Sequence, residues 1–299
     1  MPTLLITGST GLLGSKLVRL AGERYQVVGF GRAAPEGPPL NYDFRAVDIR
    51  NRRAVTALTE QVRPRLIIHT AAMTAVDRCE TSPREAEAVN VAGSEHVAAA
   101  AAVTGAHLVA VSTDYVFDGE SGPYQENDAT NHISTYGRTK LEAERRIAAI
   151  CPTACIARTS VLYGAGPGVR SNFVLWVLGE LRAGRPITLV GDQTGSPTLA
   201  DDLAGLLLGL AELGATGIFH TSGSEPINRF DFGCRIARTF GLAAGLIRRG
   251  TTAELHQPAP RPKHSGLVVE KVTHRLGRSP LDVDAGLAAL KRQLEAAER

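Results

Sequence analysis

Short apolar runs alternate with amphipathic stretches through the first half of the chain, and that alternation predicts strands and helices in turn. Thr3-Leu-Leu-Ile-Thr7 reads as a short buried strand. A glycine turn follows, then a helical pattern to about Ala21. Tyr25–Phe30 predicts a second strand, Ala33–Asn41 a loop rich in proline and glycine, and Phe44–Ile49 a third strand. A helix around Asn51–Val62 precedes the apolar strand Leu66–Thr70, and a long alanine-rich helix runs to about Val103. His107–Ser112 and Thr153–Ser160 are further strands, with a helix opening at Tyr136 between them, capped by Ser134 or Thr135. Such a series predicts an α/β fold: a Rossmann-like, doubly wound parallel sheet whose ligands sit beyond the carboxyl ends of the strands.

After Gly164 the pattern changes. Gly164–Gly168 breaks the alternation, and a helix carrying Phe173 and Trp176 follows. Then come a loop of turn residues (Gly191–Thr198), a leucine-rich helix (Leu199–Leu213), a strand near Phe219 and a helix over Arg229–Phe240. Pro258–Pro262 must be extended. The charged, amphipathic helix from Val283 to Arg299 reads as structural. We therefore expect a nucleotide-binding domain over residues 1–164. Residues 165–299 would form a smaller substrate lobe that closes the cleft, with some segments returning to the first domain.

Composition narrows the classes. The 299 residues suffice for one large domain or two sharing a cleft, and 43% hydrophobic content is ordinary for a globular chain. A net charge of +3 without a long Lys/Arg run argues against nucleic-acid binding. No apolar run is long enough to span a bilayer, and Met1–Ile6 lacks a signal-peptide pattern, so the chain reads as cytoplasmic. Cys79, Cys151, Cys155 and Cys234 lack zinc spacing and read as reduced, packing thiols; no metal is expected.

Candidate chemistry lies at the strand ends. In Gly8-Ser-Thr-Gly11-Leu-Leu-Gly14, the first glycine permits a tight turn. The second lets backbone N–H groups approach a pyrophosphate, and the third lets the helix lie close on the strand. A carboxylate at the end of the second strand would hold a ribose 2′-hydroxyl. Here Gly31 and Arg32 stand instead, and a guanidinium fits a 2′-phosphate, which favours NADPH, with NADH as the alternative. Small residues at Ala71-Ala-Met-Thr74 leave room for a cofactor backbone. Thr113 follows its strand directly, so its hydroxyl can meet a substrate carbonyl. Tyr136 and Lys140 lie one helical turn apart, and an ammonium beside a phenol lowers its pKa. Taken alone, that spacing usually marks a solvated helix face.

Together, Gly8/Gly11/Gly14, Asn90, Thr113 and Tyr136/Lys140 resemble the extended short-chain dehydrogenase/reductase family. Finer motifs resemble its dTDP-4-dehydrorhamnose reductase branch: Ala71–Glu80, Ser112–Gly119, Gly191–Thr198 and Arg261–Ser265. The resemblance covers nearly the whole chain and implies that Thr113, Tyr136 and Lys140 are catalytic. It implies cofactor contacts at Gly8, Thr10, Gly11, Leu12, Leu13, Arg32, Asp48, Ile49, Ala71, Ala72, Met73, Thr74, Asn90, Tyr136 and Lys140. It implies substrate contacts at Thr113, Asp114, Tyr115 and Arg261, with Lys263 a further candidate for the diphosphate. The implied reaction is reduction of the 4-keto group of a nucleotide-linked deoxysugar; a homodimer is one assembly the reading allows. The branch usually carries a tryptophan after the Thr159-Ser160 pair, where this chain has Val161, so the sugar stays open. Gly29–Arg32 and Val161–Gly164 are also similar to the NADP-binding regulatory subunit of methionine adenosyltransferase, which keeps a non-catalytic reading in play. An epimerase or dehydratase is the other alternative, but Thr113-Asp114-Tyr115 lacks the second carboxylate that elimination requires.

Overall fold

The computed structural model describes residues 1–34, 41–166, 169 and 171–297. Most of the Ala33–Asn41 loop, the end of the Gly164–Gly168 break and the last two residues of the C-terminal helix lie outside them. In chain order the first half runs β1 (Thr3–Thr7), α1 (Leu12–Ala21), β2 (Gln26–Gly31), β3 (Asp43–Ala46), α2 (Arg52–Val62), β4 (Leu66–His69), α3 (Val76–Thr81) and α4 (Pro83–Glu87). A π-helical turn (Ala88–Ala92), α5 (Gly93–Thr104), β5 (His107–Thr113), α6 (Thr135–Ile150) and β6 (Cys155–Thr159) follow. The second half adds β7 (Leu162–Tyr163), α7 (Phe173–Arg182), β8 (Ile187–Val190), β9 (Thr194–Gly195), β10 (Thr198–Leu199), α8 (Ala200–Glu212) and β11 (Gly217–His220). It ends with β12 (Ile227–Asn228), α9 (Arg229–Phe240), β13 (Ile247–Gly250), α10 (Thr252–Leu255), α11 (Glu270–Leu276) and α12 (Val283–Ala297).

A seven-stranded sheet in the order β11-β6-β5-β4-β1-β2-β3 organises the chain, and every pairing within it is parallel. Successive side chains point to opposite faces of a strand, so each apolar strand feeds two cores. Leu4 and Ile6 face α1 and α8, with Leu17, Leu203, Leu207 and Val272. Leu5 faces α2, α5 and α6, with Leu58, Val97, Ala101 and Ile147. Helices on both faces explain why the strands read as continuous apolar runs rather than alternating ones. Strand order reverses between β1 and β4, and the sheet opens a crevice there, at its carboxyl edge.

A second core gathers Tyr163, Val177, Leu189, Phe232, Ile236 and Leu287 from β7, α7, β8, α9 and α12. Two elements from beyond residue 164 belong to the first core instead: α8 packs on α1, and β11 forms the sheet's edge beside β6. Among the described residues no helix is long and apolar enough to cross a membrane.

One local expectation is corrected. The third strand ends at Ala46 rather than Ile49, because the Asp48 carboxylate turns back to accept from the Arg50 backbone N–H (2.9 Å) as the chain enters α2. The long alanine-rich helix runs from Pro83 to Thr104, with a π-helical turn inside it that carries Asn90.

Candidate functional site

A cleft of about 790 Å³ lies along the carboxyl edge of the sheet. One wall is the glycine turn. Gly8 takes a left-handed conformation (φ +67°), and its N–H reaches the Phe30 carbonyl (2.7 Å). Gly11 caps α1 with no side chain, so the first amides of that helix remain available at the cleft, where Gly11, Leu12 and Leu13 form the wall. A methyl group at Gly14 would collide with the Gly8 carbonyl oxygen and lie 2.7 Å from Ser9 Cα. Helix and turn meet there without room for any side chain.

Thr7 staples this turn to the loop after β4. Its hydroxyl oxygen accepts from the backbone N–H groups of Thr70 (3.1 Å) and Ala71 (3.0 Å), and it lies 2.7 Å from His69 Nδ1. The Ser94 hydroxyl donates to the Asn90 carbonyl (2.6 Å), so its oxygen accepts from His69 Nε2 (2.9 Å). His69 is therefore protonated on Nε2, and Nδ1 accepts from Thr7. Burial holds its pKa down to about 3, which keeps the ring neutral.

The opposite wall is catalytic in character. Ser134 caps α6 by accepting from the Gly137 N–H (3.2 Å), which sets Tyr136 at the head of the helix and Lys140 one turn deeper. Tyr136 is nearly buried and packs edge-on to Tyr115, ring centres 5.5 Å apart. The Thr113 hydroxyl donates to Asp114 Oδ1 (3.0 Å) and accepts from the Tyr115 N–H (3.2 Å). Lys140 Nζ donates to the Val111 carbonyl (2.7 Å), and burial lowers its pKa to about 8 while Glu144 pulls the other way. The expected acidification of Tyr136 by Lys140 is corrected here. Burial raises the phenol's pKa well above its ordinary value, and the opposing pull comes from the Thr113 hydroxyl. The ammonium is engaged with a backbone carbonyl instead.

Of the residues that the sequence singles out, Gly8, Thr10, Gly11, Leu12, Leu13, Arg32, Asp48, Ile49, Ala71, Ala72, Met73, Thr74, Thr113, Asp114, Tyr115, Tyr136 and Lys140 all line this one cleft. Two do not. Asn90 is fully buried behind the wall, where its carboxamide accepts from the Met73 N–H (2.8 Å) and donates to the Met73 carbonyl (3.1 Å) and Thr139 Oγ1 (3.1 Å). With both ends of its amide committed, it holds the cleft-lining Met73 in place rather than touching a ligand. Arg261 is drawn off by Asp77 in a two-pronged ion pair (2.8 and 3.0 Å) and also donates to the Ala259 carbonyl (2.8 Å).

Several contacts of these walls, rather than Asp114 and Val161 themselves, escaped the sequence reading. Asp114 is buried and accepts from Thr113, from Ser160 (2.8 Å) and from Ser265 (2.6 Å), knotting β5, β6 and the segment before α11. Burial raises its pKa; these hydroxyls and the Arg229 charge oppose the shift. Arg229, the first residue of α9, lines the cleft over the Phe173 ring at 5.0 Å. Behind Lys140, Arg158 and Glu144 form a buried ion pair (2.7 Å) joined by the Ser112 hydroxyl (2.5 Å). Val161 lines the cleft with φ +44°, a strained conformation for a β-branched residue. Their partners lie far apart in the chain, and no short-range pattern announces them.

A doubly wound sheet with a glycine turn at its switch point, facing a Tyr-x-x-x-Lys helix, defines an extended short-chain dehydrogenase/reductase. Within that class the chain belongs to the family described as the RmlD substrate binding domain, whose model matches residues 2–295. It is 37% identical over 96% of its length to a probable low-salt glycan biosynthesis reductase, Agl14, of Haloferax volcanii, of which it covers 96%. It is 34% identical over 90% of its length to the methionine adenosyltransferase 2 subunit beta of Xenopus tropicalis, covering 80% of that protein. A solved dTDP-4-dehydrorhamnose reductase of Bacillus anthracis in complex with NADP superposes with a TM-score of 0.88 at 29% identity, over 98% of this chain and all of that one (100%).

Proposed function

We propose that the protein is an NADPH-dependent reductase of the 4-keto group of a nucleotide-linked deoxysugar, with dTDP-4-dehydro-L-rhamnose as substrate and dTDP-L-rhamnose as product. The observation that carries the reading is geometric: the nearly buried Tyr136, packed on Tyr115, lines the same cleft as the Thr113 hydroxyl, Lys140 and the glycine turn. The turn fits a dinucleotide: the uncapped first turn of α1, from Leu12, leaves its amides available at the cleft, and Arg32, rather than a carboxylate, follows β2. When bound, NADPH supplies the hydride.

The chain's own groups do the rest. Because its pKa is raised, Tyr136 holds its proton at neutral pH and can deliver it from Oη to a carbonyl oxygen as negative charge develops there, which suits reduction. Thr113 offers a second hydroxyl to that oxygen. Lys140 places a cation beneath the site and orients the end of β5 through the Val111 carbonyl. In this scheme residues 1–164 carry the nucleotide and most of 165–299 carry the sugar. Likeness to the dehydrorhamnose reductase and to the glycan biosynthesis reductase supports the substrate class.

A second reading has its own support, the 34% identity to a methionine adenosyltransferase subunit. One experiment separates the two: NADPH oxidation against dTDP-, UDP- and GDP-linked 4-ketosugars, with Tyr136→Phe alongside. We expect turnover with a dTDP sugar and a loss of about a hundredfold or more in the variant, with NADPH affinity intact. No oxidation of NADPH on any sugar would reject the reductase; unchanged turnover in Tyr136→Phe would reject its acid.

A further inference from the structure

The substrate half of the cleft holds one cation whose role the sequence left unassigned. Four cationic side chains line the cleft among the described residues: Arg32, Arg78, Lys140 and Arg229. Arg32 stands on the nucleotide side, near enough to Asp48 to lower its pKa. Arg78 is paired with Glu85 at 2.8 Å. Lys140 is turned onto the Val111 carbonyl. The Arg229 guanidinium makes no hydrogen bond or ion pair with the described side chains; it rests over the Phe173 ring at 5.0 Å. It lines the same cleft as Tyr136, and its charge is felt by Asp114 and by Tyr115, the ring packed edge-on to Tyr136. Partial desolvation makes an unpaired guanidinium there costly unless an anion completes it.

We propose that Arg229 seats the diphosphate of the nucleoside-diphosphate sugar, an inference that rests on the reductase reading above. The substrate's formal charges lie on its diphosphate, attached at C1 of the pyranose. The carbonyl to be reduced is at C4, the opposite corner of the ring. With C4 held at Tyr136 and Thr113, the diphosphate falls about one sugar's width away along the cleft, and Arg229 is the lining cation that no described side chain engages. A planar guanidinium backed by an aromatic ring presents its edge to phosphate oxygens in the fork geometry that suits them. Arg261, the candidate offered by the sequence, is already spent on Asp77.

The test is binding of dTDP, UDP and GDP by calorimetry to protein saturated with NADP⁺, for wild type, Arg229→Gln and Arg229→Lys. The matching free nucleoside serves as the uncharged control, and melting temperatures are taken in parallel. For the diphosphate that wild type binds, Arg229→Gln is expected to weaken affinity roughly 10- to 100-fold and Arg229→Lys less, with nucleoside binding unchanged. In turnover the loss should fall on KM rather than kcat. Diphosphate affinity unchanged in Arg229→Gln overturns the assignment. So does an equal loss of diphosphate and nucleoside with a lowered melting temperature, which would make Arg229 only the counter-ion of Asp114. Wild type binding none of the diphosphates would instead bring down the nucleotide-sugar reading itself.

Discussion

Around Gly8–Leu13 the wall of the cleft is backbone; around Asp114 and Arg229 it is side chain. The first wall is made by chain geometry, a left-handed glycine and an uncapped helix start, with one buried side chain behind it, the Thr7 hydroxyl that accepts from Thr70 and Ala71. It spans a few consecutive residues and one neighbouring strand end. The second is assembled from Asp114, Ser160, Ser265 and Arg229, each on a different segment, and holds together through hydroxyl-to-carboxylate hydrogen bonds. A backbone site offers the same donors to any dinucleotide and tolerates little change of shape. A side-chain site can exchange partners one at a time, so its specificity changes without rebuilding the fold.

Forcing a side chain into the backbone wall should have the largest effect. In Gly14→Ala the new methyl meets the Gly8 carbonyl and Ser9 Cα, both backbone, so the turn itself must move. Overpacking of this kind costs about 1–3 kcal/mol, or roughly 10- to 100-fold in NADPH affinity if the displaced amides are those that bind it. Fluorescence titration of NADPH measures the loss. Affinity within twofold of wild type would show that the turn is not the nucleotide's seat.

The same division decides what could be read from the sequence. The parallel sheet was legible because doubly covered strands leave apolar runs and the glycine turn marks their switch point. Tyr136, Lys140 and Thr113 were legible because each sits at a fixed offset from a helix start or strand end. Asn90 was legible as a marked position but not in its role, since a π-helical turn points its amide at Met73. Arg261 and Arg229 could not be sorted from sequence. Which arginine is free depends on Asp77 reaching Arg261 across 184 residues. The raised pKa of Tyr136 was missed for the same reason: burial by Tyr115 and its neighbours is a property of packing, whereas spacing showed only the lysine.

Lys140 stands where the two walls meet, and its charge is the next point of attack. Burial lowers its pKa from 10.5 in the unfolded chain to about 8. Between those values the unfolded chain holds more protons, so this residue's contribution makes stability rise with pH across that window. Below pH 8 the folded protein carries the whole cost of the buried ammonium, on the order of 3 kcal/mol. Of its neighbours, His69 is neutral there, and Glu144 lies in an ion pair with Arg158. In Lys140→Met that cost disappears. The melting temperature of the variant relative to wild type is therefore expected to be highest at pH 7 and to fall steadily between pH 8 and pH 10.5. A difference independent of pH would mean that the ammonium is not desolvated and that the cleft floor is wet.

The smallest effect is expected at Val161, on the side-chain wall. Its left-handed backbone costs about 1–2 kcal/mol that glycine would not bear. Val161→Gly gives up partly buried methyl groups and adds chain entropy to the unfolded state, losses of similar size. The two nearly cancel, and chemical denaturation should place the variant within about 1 kcal/mol of wild type, where removal of an unstrained buried valine costs more. Function should not be so indifferent. Val161 borders the substrate half of the cleft beside Ser160, so the KM for the ketosugar should change while NADPH affinity holds. If instead NADPH affinity falls with the ketosugar KM, the two walls are mechanically coupled and the division between backbone and side-chain sites fails at the residue where its strain is greatest.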